Sequence, residues 1–380
     1  MRMGIVLNYW MGWLGGATFI SAVIRSFEQV SENEIALVVL DASVRNPKKV
    51  GISELGKHEN LKLILKRLGR ERVDVYGSVE RWLTDFRVSI VGPSFGSLNV
   101  AVPRITYIPD FQHKYLPKYF SDRELASREV LYGQTLNQSA TCVVADVSVG
   151  NDIKRFFPWY QGNICVLPRY FVGLSDPDLR SSLGREVSSD LVNTDDQYLI
   201  VCSQRWAHKR HDLVLKAFGH SRHSFKHLKL VFTGPKDDYR DPSVEQRFWS
   251  LVHELGLSDA VIDLGILERQ KQLSLVQNAV ALITASEFEG GVGAAGVEEA
   301  LFLGTPVICP SSPLFVDLYQ DKNVFHFDFT RDDLDQFASC VLSALSVDID
   351  CRTGLDSKFV EQTIRSSMKD IIDQFELLVP

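Results

Sequence analysis

At 380 residues, with hydrophobic residues at 45% and a formal net charge of −7, the chain is long enough for two cores and has the balance of a globular protein. The acidity argues against a general nucleic-acid binder. Six scattered cysteines (Cys142, Cys165, Cys202, Cys309, Cys340 and Cys351) include no CxxC pair, which argues against a disulfide framework or a cysteine-held metal and fits a reducing cytoplasm.

The chain opens with an uncharged stretch, Ile5 to Ile24, long enough to cross a bilayer. Asn8, Thr18, Ser21 and the glycines Gly12, Gly15 and Gly16 interrupt it. They favour a buried strand over 3–7, a glycine loop, and a helix from about Ala17. The Gly15-Gly16 pair ahead of a helix can bring backbone N–H groups to a phosphate, although it is not a full GxGxxG fingerprint. Between Lys57 and Arg72, six basic residues alternate with Leu61, Leu63, Ile64, Leu65 and Leu68. That pattern suits a surface helix with one buried face, and also a helix resting on anionic lipid at the inner face of a membrane.

Short apolar runs alternate with helical patterns, which predicts parallel sheets. In the first half they fall at 4–7, 35–40, 73–76, 89–91, 105–108, 141–145 and 164–167. The run at 105–108 leads into Pro109-Asp110-Phe111-Gln112-His113, and the run at 141–145 into Asp146 and Ser148. Pro168 to about Gln197 is polar and reads as a linker. The second half carries runs at 198–202, 228–233, 261–264, 280–284, 307–309 and 324–327, and the chain closes with a helix from about Ser357. Two open sheets joined by a linker leave a cleft between domains, with ligands expected at the carboxyl ends of the strands.

Two segments of the second half carry chemistry. Ser203-Gln204-Arg205-Trp206-Ala207-His208-Lys209-Arg210-His211 concentrates cations after a strand in an acidic protein. Arg205 can make forked contacts to phosphate, and Lys209 can act as a point charge. Ser286-Glu287-Phe288-Glu289-Gly290-Gly291-Val292-Gly293 then places acids and a glycine turn between a strand and a helix that carries Glu298 and Glu299 and runs to Gly304. Glycines admit a ligand to the backbone, a helix N-terminus favours anions, and carboxylates accept hydrogen bonds from hydroxyls. Phosphate and polyol recognised together suggest a nucleotide sugar.

Glu289-Gly290 with Glu299-Ala300 and Gly304-Thr305-Pro306-Val307-Ile308 resembles the donor-site motif of retaining GT-B glycosyltransferases, and the run from Gln204 to His211 resembles a bacterial subgroup of the glycosyltransferase family 4 type. Nine residues separate Glu289 from Glu299 here, and eight separate it from Glu298, where that family usually has seven, so the glycine turn looks enlarged by about two residues. The resemblance implies an α/β fold of two Rossmann-like domains facing across a cleft. Residues 1–175 would form the acceptor-side domain and 196–356 the nucleotide-sugar-binding domain, with 357–380 a helix crossing back to the first. It implies a hexosyltransferase that retains anomeric configuration, needs no metal or other cofactor, and uses a nucleotide-diphosphate sugar as donor. The acceptor would be a glycan or lipid-linked glycan in a bacterial surface polysaccharide pathway such as O-antigen assembly.

By that likeness Arg205 and Lys209 grip the diphosphate, Arg210 being the alternative for the lysine, with the backbone of Gly15, Gly16, Gly291, Val292 and Gly293 in support. Glu289 meets the donor sugar, Glu299 the ribose, and Gly265, Ile266 and Leu267 the base. Many relatives carry a His-Asp pair where this chain has Pro109-Asp110; Asp110 would orient a hydroxyl, and His113 would share or replace the histidine's role. Two rival readings stand beside this one: a GT-B nucleotide-sugar epimerase, and a catalytically silent nucleotide-sugar-binding subunit.

Overall fold

A computed structural model describes residues 1–12, 14–168, 191–193, 196–290, 295–312, 315–316, 322–330, 334–347 and 357–379. The apolar runs become strands buried on both faces, the usual state of parallel sheets covered by helices. The first sheet holds β1 (Arg2–Val6), β2 (Glu34–Leu40), β3 (Lys48–Gly51), β4 (Arg72–Tyr76), β5 (Ile90–Ser94), β6 (Arg104–Tyr107), β7 (Thr141–Val144) and β8 (Asn163–Val166), in the order β3-β4-β2-β1-β5-β6-β7-β8. The second holds β9 (Tyr198–Cys202), β10 (Lys229–Thr233), β11 (Val261–Gly265), β12 (Ala281–Ile283), β13 (Val307–Pro310) and β14 (Val324–Phe327), in the order β11-β10-β9-β12-β13-β14. Every pairing is parallel except that of β3 with β4.

Both sheets reverse direction beside their first strand: β1 lies between β2 and β5, and β9 between β10 and β12. Helices leaving such neighbouring strands go to opposite faces, so a crevice opens beyond the strand ends. β9 pairs directly with β12, Leu199 opposite Ala281 and Ile200 opposite Leu282. The cationic segment after β9 and the acidic segment after β12 therefore emerge side by side, although Lys209 and Glu289 are 80 residues apart in the chain.

Several expectations need correction. Strand β3 is absent from the sequence reading because Lys48 and Lys49 are exposed and only half of the strand meets the core. The first helix runs Leu14–Val30, so Gly15 and Gly16 belong to its first turn and not to a preceding loop. The uncharged stretch is divided among β1, a short 3-10 turn at Leu7–Trp10 and this helix, whose Phe19, Ile20, Val23, Ile24 and Phe27 face the core. No helix among the described residues is long and apolar enough to cross a membrane. The basic segment forms the helix Glu59–Arg67, which buries Leu61, Ile64 and Leu65; nearby, Lys62 pairs with Glu59 and Arg70 with Glu28.

The helix Ser357–Glu376 lies along the helix Leu14–Val30, with Ile364, Met368, Ile371, Ile372 and Phe375 in the same apolar cluster as Phe19 and Phe27. Arg365 donates to the Gln29 carbonyl at 3.2 Å, and Asn33 to Glu376 at 2.6 Å. Most of the linker segment, and the expected boundaries at 175 and 356, lie outside the described residues. The described cysteines, Cys142, Cys165, Cys202, Cys309 and Cys340, are all free thiols.

Candidate functional site at the domain cleft

The segment after β9 is held against the end of β10. Ser203 N–H donates to the Thr233 carbonyl and Arg205 N–H to the Pro235 carbonyl, both at 3.1 Å. A Cβ at Gly234 would stand 2.7 Å from the Ser203 carbonyl oxygen, and its φ of +124° is one that glycine adopts freely. The chain then makes a single 3-10 turn, Ala207–Lys209, and passes through Arg210 in a left-handed conformation (φ 49°) before the helix His211–Ser221.

That turn aims Lys209 at the acidic segment, where its Nζ lies 2.5 Å from Glu289 Oε1. Both side chains are largely buried. Glu289 reaches the opposite wall through its neighbour: a Cβ at Gly290 would fall 2.1 Å from Asp110 Cβ. Glycine at 290 is thus what lets the second domain's loop approach the first domain's aspartate. Burial raises the Glu289 carboxyl, and the Asp110 charge adds to the rise against the pull of Lys209. Burial also raises Asp110, with Asp152 adding to it, against the Gln112 N–H, Arg128 and Lys209. Two carboxyl groups in a low-dielectric site therefore depend on one ammonium, and each is biased toward holding a proton. Such a pair can accept hydrogen bonds from hydroxyls and, when protonated, donate one.

The other cations are already engaged. Arg205 is buried, its Nη2 2.5 Å from Asp263 Oδ2 and its guanidinium 3.8 Å from the Phe248 ring centroid. Lys236 shares Asp263 at 2.9 Å. Arg205 Nη1 is buried and finds no hydrogen-bond acceptor among the described residues; Glu245 stands 4.0 Å away. Arg210 forks onto Asp212 at 2.9 Å and also donates to Glu287 at 2.6 Å; these contacts, Asp212 first, push its pKa up. His208 and His211 are both sealed by burial. His208 is pushed down to about 2 and His211 to about 3, and His211 Nε2 sits 2.8 Å from Ser203 Oγ.

Glu299 lies in the helix Ala295–Phe302 and is chelated by Arg269, with one contact at 3.0 Å and a second from Nη2. Gly265 ends β11 at φ +63°, next to Lys236; Ile266 beside it is 71% exposed, whereas Leu267 packs on the core. Gly291, Val292 and Gly293 lie outside the described residues. Gly15 is exposed in the first turn of its helix, and Gly16 is buried there.

His113 does not line the cleft as expected. It falls in the short helix Gln112–Tyr115, which turns its ring inward among Phe111, Phe120 and Tyr132, leaving the side chain 1% exposed. Burial first, and the Arg128 charge second, push it down to about 4, so it is neutral at physiological pH. Its ring nitrogens meet no hydrogen-bond partner of good geometry among the described residues; Glu129 Oε1 is 3.5 Å away. Asp110 stays at the cleft because its Oδ1 accepts the Gln112 N–H at 2.9 Å, fixing it at the start of that turn. Asp146 is the N-cap of the helix Val147–Phe156, accepting the Ser148 N–H at 2.7 Å. Among the described residues no group of three or more His, Cys, Asp or Glu has an arrangement that could hold a metal ion.

Sequence reasoning missed the partners. Asp263, Arg269, Lys118, Tyr119 and Glu287 each hold a charge or hydroxyl in the site, and none lies near its partner in the chain. One signal was present for Glu287: acids on both sides of Phe288 in a loop otherwise made of small residues.

Residues 185–352 match the family described as "Glycosyl transferases group 1". No curated protein sequence matches the chain significantly. Among solved structures, sucrose-phosphate synthase from Thermosynechococcus elongatus aligns over 99% of both chains at 11% identity, with a TM-score of 0.62. Anabaena HepE in complex with UDP-glucose aligns over 97% of this chain and 100% of its own, at 12% identity and a TM-score of 0.61. A glycosyltransferase from Rickettsia africae covers 99% of this chain and 97% of its own, at 12% identity and a TM-score of 0.57. At such identities the likeness is one of fold: two Rossmann-like domains in the GT-B arrangement.

Proposed function

We propose that this chain is a glycosyltransferase that moves a sugar from a nucleotide-diphosphate donor to a hydroxyl acceptor with retention of configuration. The observation that carries the reading is the Lys209–Glu289 ion pair at the crossover point of the second sheet, with the adjoining Gly290 abutting Asp110 of the opposite wall. The match of residues 185–352 to group 1 glycosyl transferases supports it. HepE was solved with UDP-glucose, which makes UDP-sugars the first donors to try.

In this reading the departing diphosphate lies between Lys209 and the N-terminus of the helix Ala295–Phe302, with the unpaired Arg205 N–H as a further donor. Fixed cations and dipoles aimed at charge that develops on the leaving group lower the barrier more than anything else such a site can supply. Glu289 receives the hydroxyls of the donor sugar as it becomes cationic. Asp110, on the opposite wall, orients a hydroxyl of donor or acceptor. Glu299, held by Arg269, receives the ribose. The departing phosphate takes the acceptor proton, and cationic side chains replace a metal. The acceptor is a glycan or lipid-linked glycan of bacterial surface polysaccharide synthesis, O-antigen assembly among them, with the enzyme in the cytoplasm at the inner membrane face; the likeness of the Gln204–His211 run supports that setting.

A thermal-shift panel of UDP-, GDP-, ADP- and dTDP-sugars comes first, since a ligand that binds only the folded state raises its melting temperature. Transfer with the selected donor should survive excess EDTA and give a product whose anomeric proton shows the donor's configuration by NMR. Stabilisation by none of the panel overturns the reading. Loss of activity in EDTA, restored by magnesium or manganese, overturns the metal-free mechanism.

One observation favours a second reading, a nucleotide-sugar-binding subunit without transfer: Pro109 stands at the expected histidine, and His113 is sealed away from the cleft. Donor binding without hydrolysis or transfer in the same assays selects it.

A further inference from the structure

The segment after β12 touches the first domain through Glu287, Phe288 and Gly290. The Glu287 carboxylate accepts the Tyr119 hydroxyl at 2.9 Å and pairs with Lys118 Nζ at 3.1 Å. Phe288 stacks on Tyr115, ring centroids 5.5 Å apart and planes 27° from parallel. Gly290 abuts Asp110. Glu287 is also tied to the cationic segment: its N–H donates to the His208 carbonyl at 2.9 Å, and its carboxylate accepts from Arg210 at 2.6 Å. Two neighbouring bridges join the same parts of the domains. The Tyr239 hydroxyl donates to Glu124 at 2.9 Å, and the Arg240 guanidinium lies over Phe120 at 5.2 Å and Trp206 at 4.2 Å.

Glu287 is thus a carboxylate shared by three donors from two domains, two residues before Glu289. Burial alone would raise it, but the hydrogen bonds from Arg210, Tyr119 and Lys118 outweigh burial and hold it below the ordinary value. Two residues of chain span at most about 7 Å, so anchoring Glu287 restricts where the Glu289 carboxylate can go. Lys118 is well exposed and Glu287 is not, so this clasp is open to screening by salt.

We infer that Glu287 is a positioning residue: it couples apposition of the two domains to the placement of Glu289 against Asp110. What Glu289 then does rests on the glycosyl-transfer reading; the coupling itself does not. An open pair of domains would leave Glu289 with Lys209 but without the opposite wall, so a nucleotide could bind while turnover is lost.

The test is hydrogen exchange by mass spectrometry on the full chain, wild type against Glu287→Gln, Lys118→Met, Tyr119→Phe and the Glu287→Gln/Lys118→Met double variant. Glu287→Gln should speed exchange about fivefold or more at 109–120 in the first domain and at 205–211 and 284–290 in the second, together, as a shared opening does. Raising salt to about 1 M, where the Debye length is about 3 Å, should have the same effect on wild type. The double variant should be no worse than Glu287→Gln alone, because the two residues serve one contact. Faster exchange confined to 284–290, with 109–120 unchanged, overturns the coupling. With the donor chosen by the panel, Glu287→Gln should lower kcat about tenfold while KM for the donor stays within about twofold. Coupled opening with an unchanged kcat overturns the positioning role. A wild type inactive on every donor overturns the glycosyl-transfer reading instead, and the exchange result still decides the coupling.

Discussion

The loop after β6 and the loop after β12 form opposite walls of one cleft, and they treat charge differently. On the second domain's side the acids are matched to named cations: Glu289 to Lys209, Glu287 to Arg210, Asp263 to Arg205 and Glu299 to Arg269. On the first domain's side Asp110 leans on a backbone N–H, and His113 is kept neutral by an aromatic enclosure. In the proposed function the paired wall is set up to exchange partners, since an arriving diphosphate would compete with carboxylates for cations already in place. The other wall is held by burial and backbone, which leaves its carboxyl able to meet hydroxyls.

The largest effect should come from breaking the central pair. Lys209→Met leaves Glu289 buried without its cation, and stranding one member of a buried pair costs about 3–5 kcal/mol. Chemical denaturation at pH 8 should show that loss. It should shrink toward pH 5, because Glu289, whose folded pKa is already raised, then takes up a proton more readily than the unfolded chain does. Glu289→Gln strands the Lys209 ammonium in turn, although the amide oxygen still accepts its hydrogen bond, so stability should fall less than in Lys209→Met, while turnover drops about 100-fold. No destabilisation by either variant would mean that the pair is not the organising contact of this wall.

The sealed histidines give the next effect. Folded His113 titrates at about 4, His211 at about 3 and His208 at about 2, each below the 6.5 of the unfolded chain. The unfolded state therefore binds protons that the folded state refuses. Stability from these groups is full above pH 6.5 and falls as pH drops through the window toward each folded value. For His113 the span is worth roughly 3 kcal/mol. His113→Phe should flatten this slope between pH 6.5 and 4 while transfer at pH 7.5 stays within about threefold. A collapse of transfer with the fold intact would restore His113 to the catalytic role that the sequence suggested.

Arg205→Lys should come third. It removes the forked contact and the Phe248 stack, though Lys236 still holds Asp263, so a loss near 2 kcal/mol in stability is expected, with weaker nucleotide binding. Unchanged nucleotide affinity would leave Arg205 as a purely structural arginine. The smallest effect separates two adjacent acids. Glu299→Gln loosens the Arg269 chelate and should weaken nucleotide binding about tenfold, and Glu298→Gln less than twofold, because neighbours on a helix point about 100° apart. A reversed order would show that the enlarged glycine turn has shifted the register of the motif.

The sequence by itself determined the two wound halves, because a parallel strand buried on both faces must be a short apolar run. Tyr198–Cys202 and Val324–Phe327 fall where those runs stand. It also marked Lys209 and Glu289 as candidates, through a cation cluster and an acid–glycine turn at strand ends, and the structure brings these two side chains together. It could not give strand β3, whose lysines face solvent, nor the start of the first helix, where glycines imitate a loop. The fate of His113 was hidden as well, because enclosure by Tyr132 and Phe120 depends on how helices pack and not on local pattern. Only the tertiary structure decided which cation meets which acid. Arg205 and Asp263 are 58 residues apart and Tyr119 and Glu287 168 apart. Sheet order brings such residues together, and sheet order is set by the packing of whole layers, which no local spacing records.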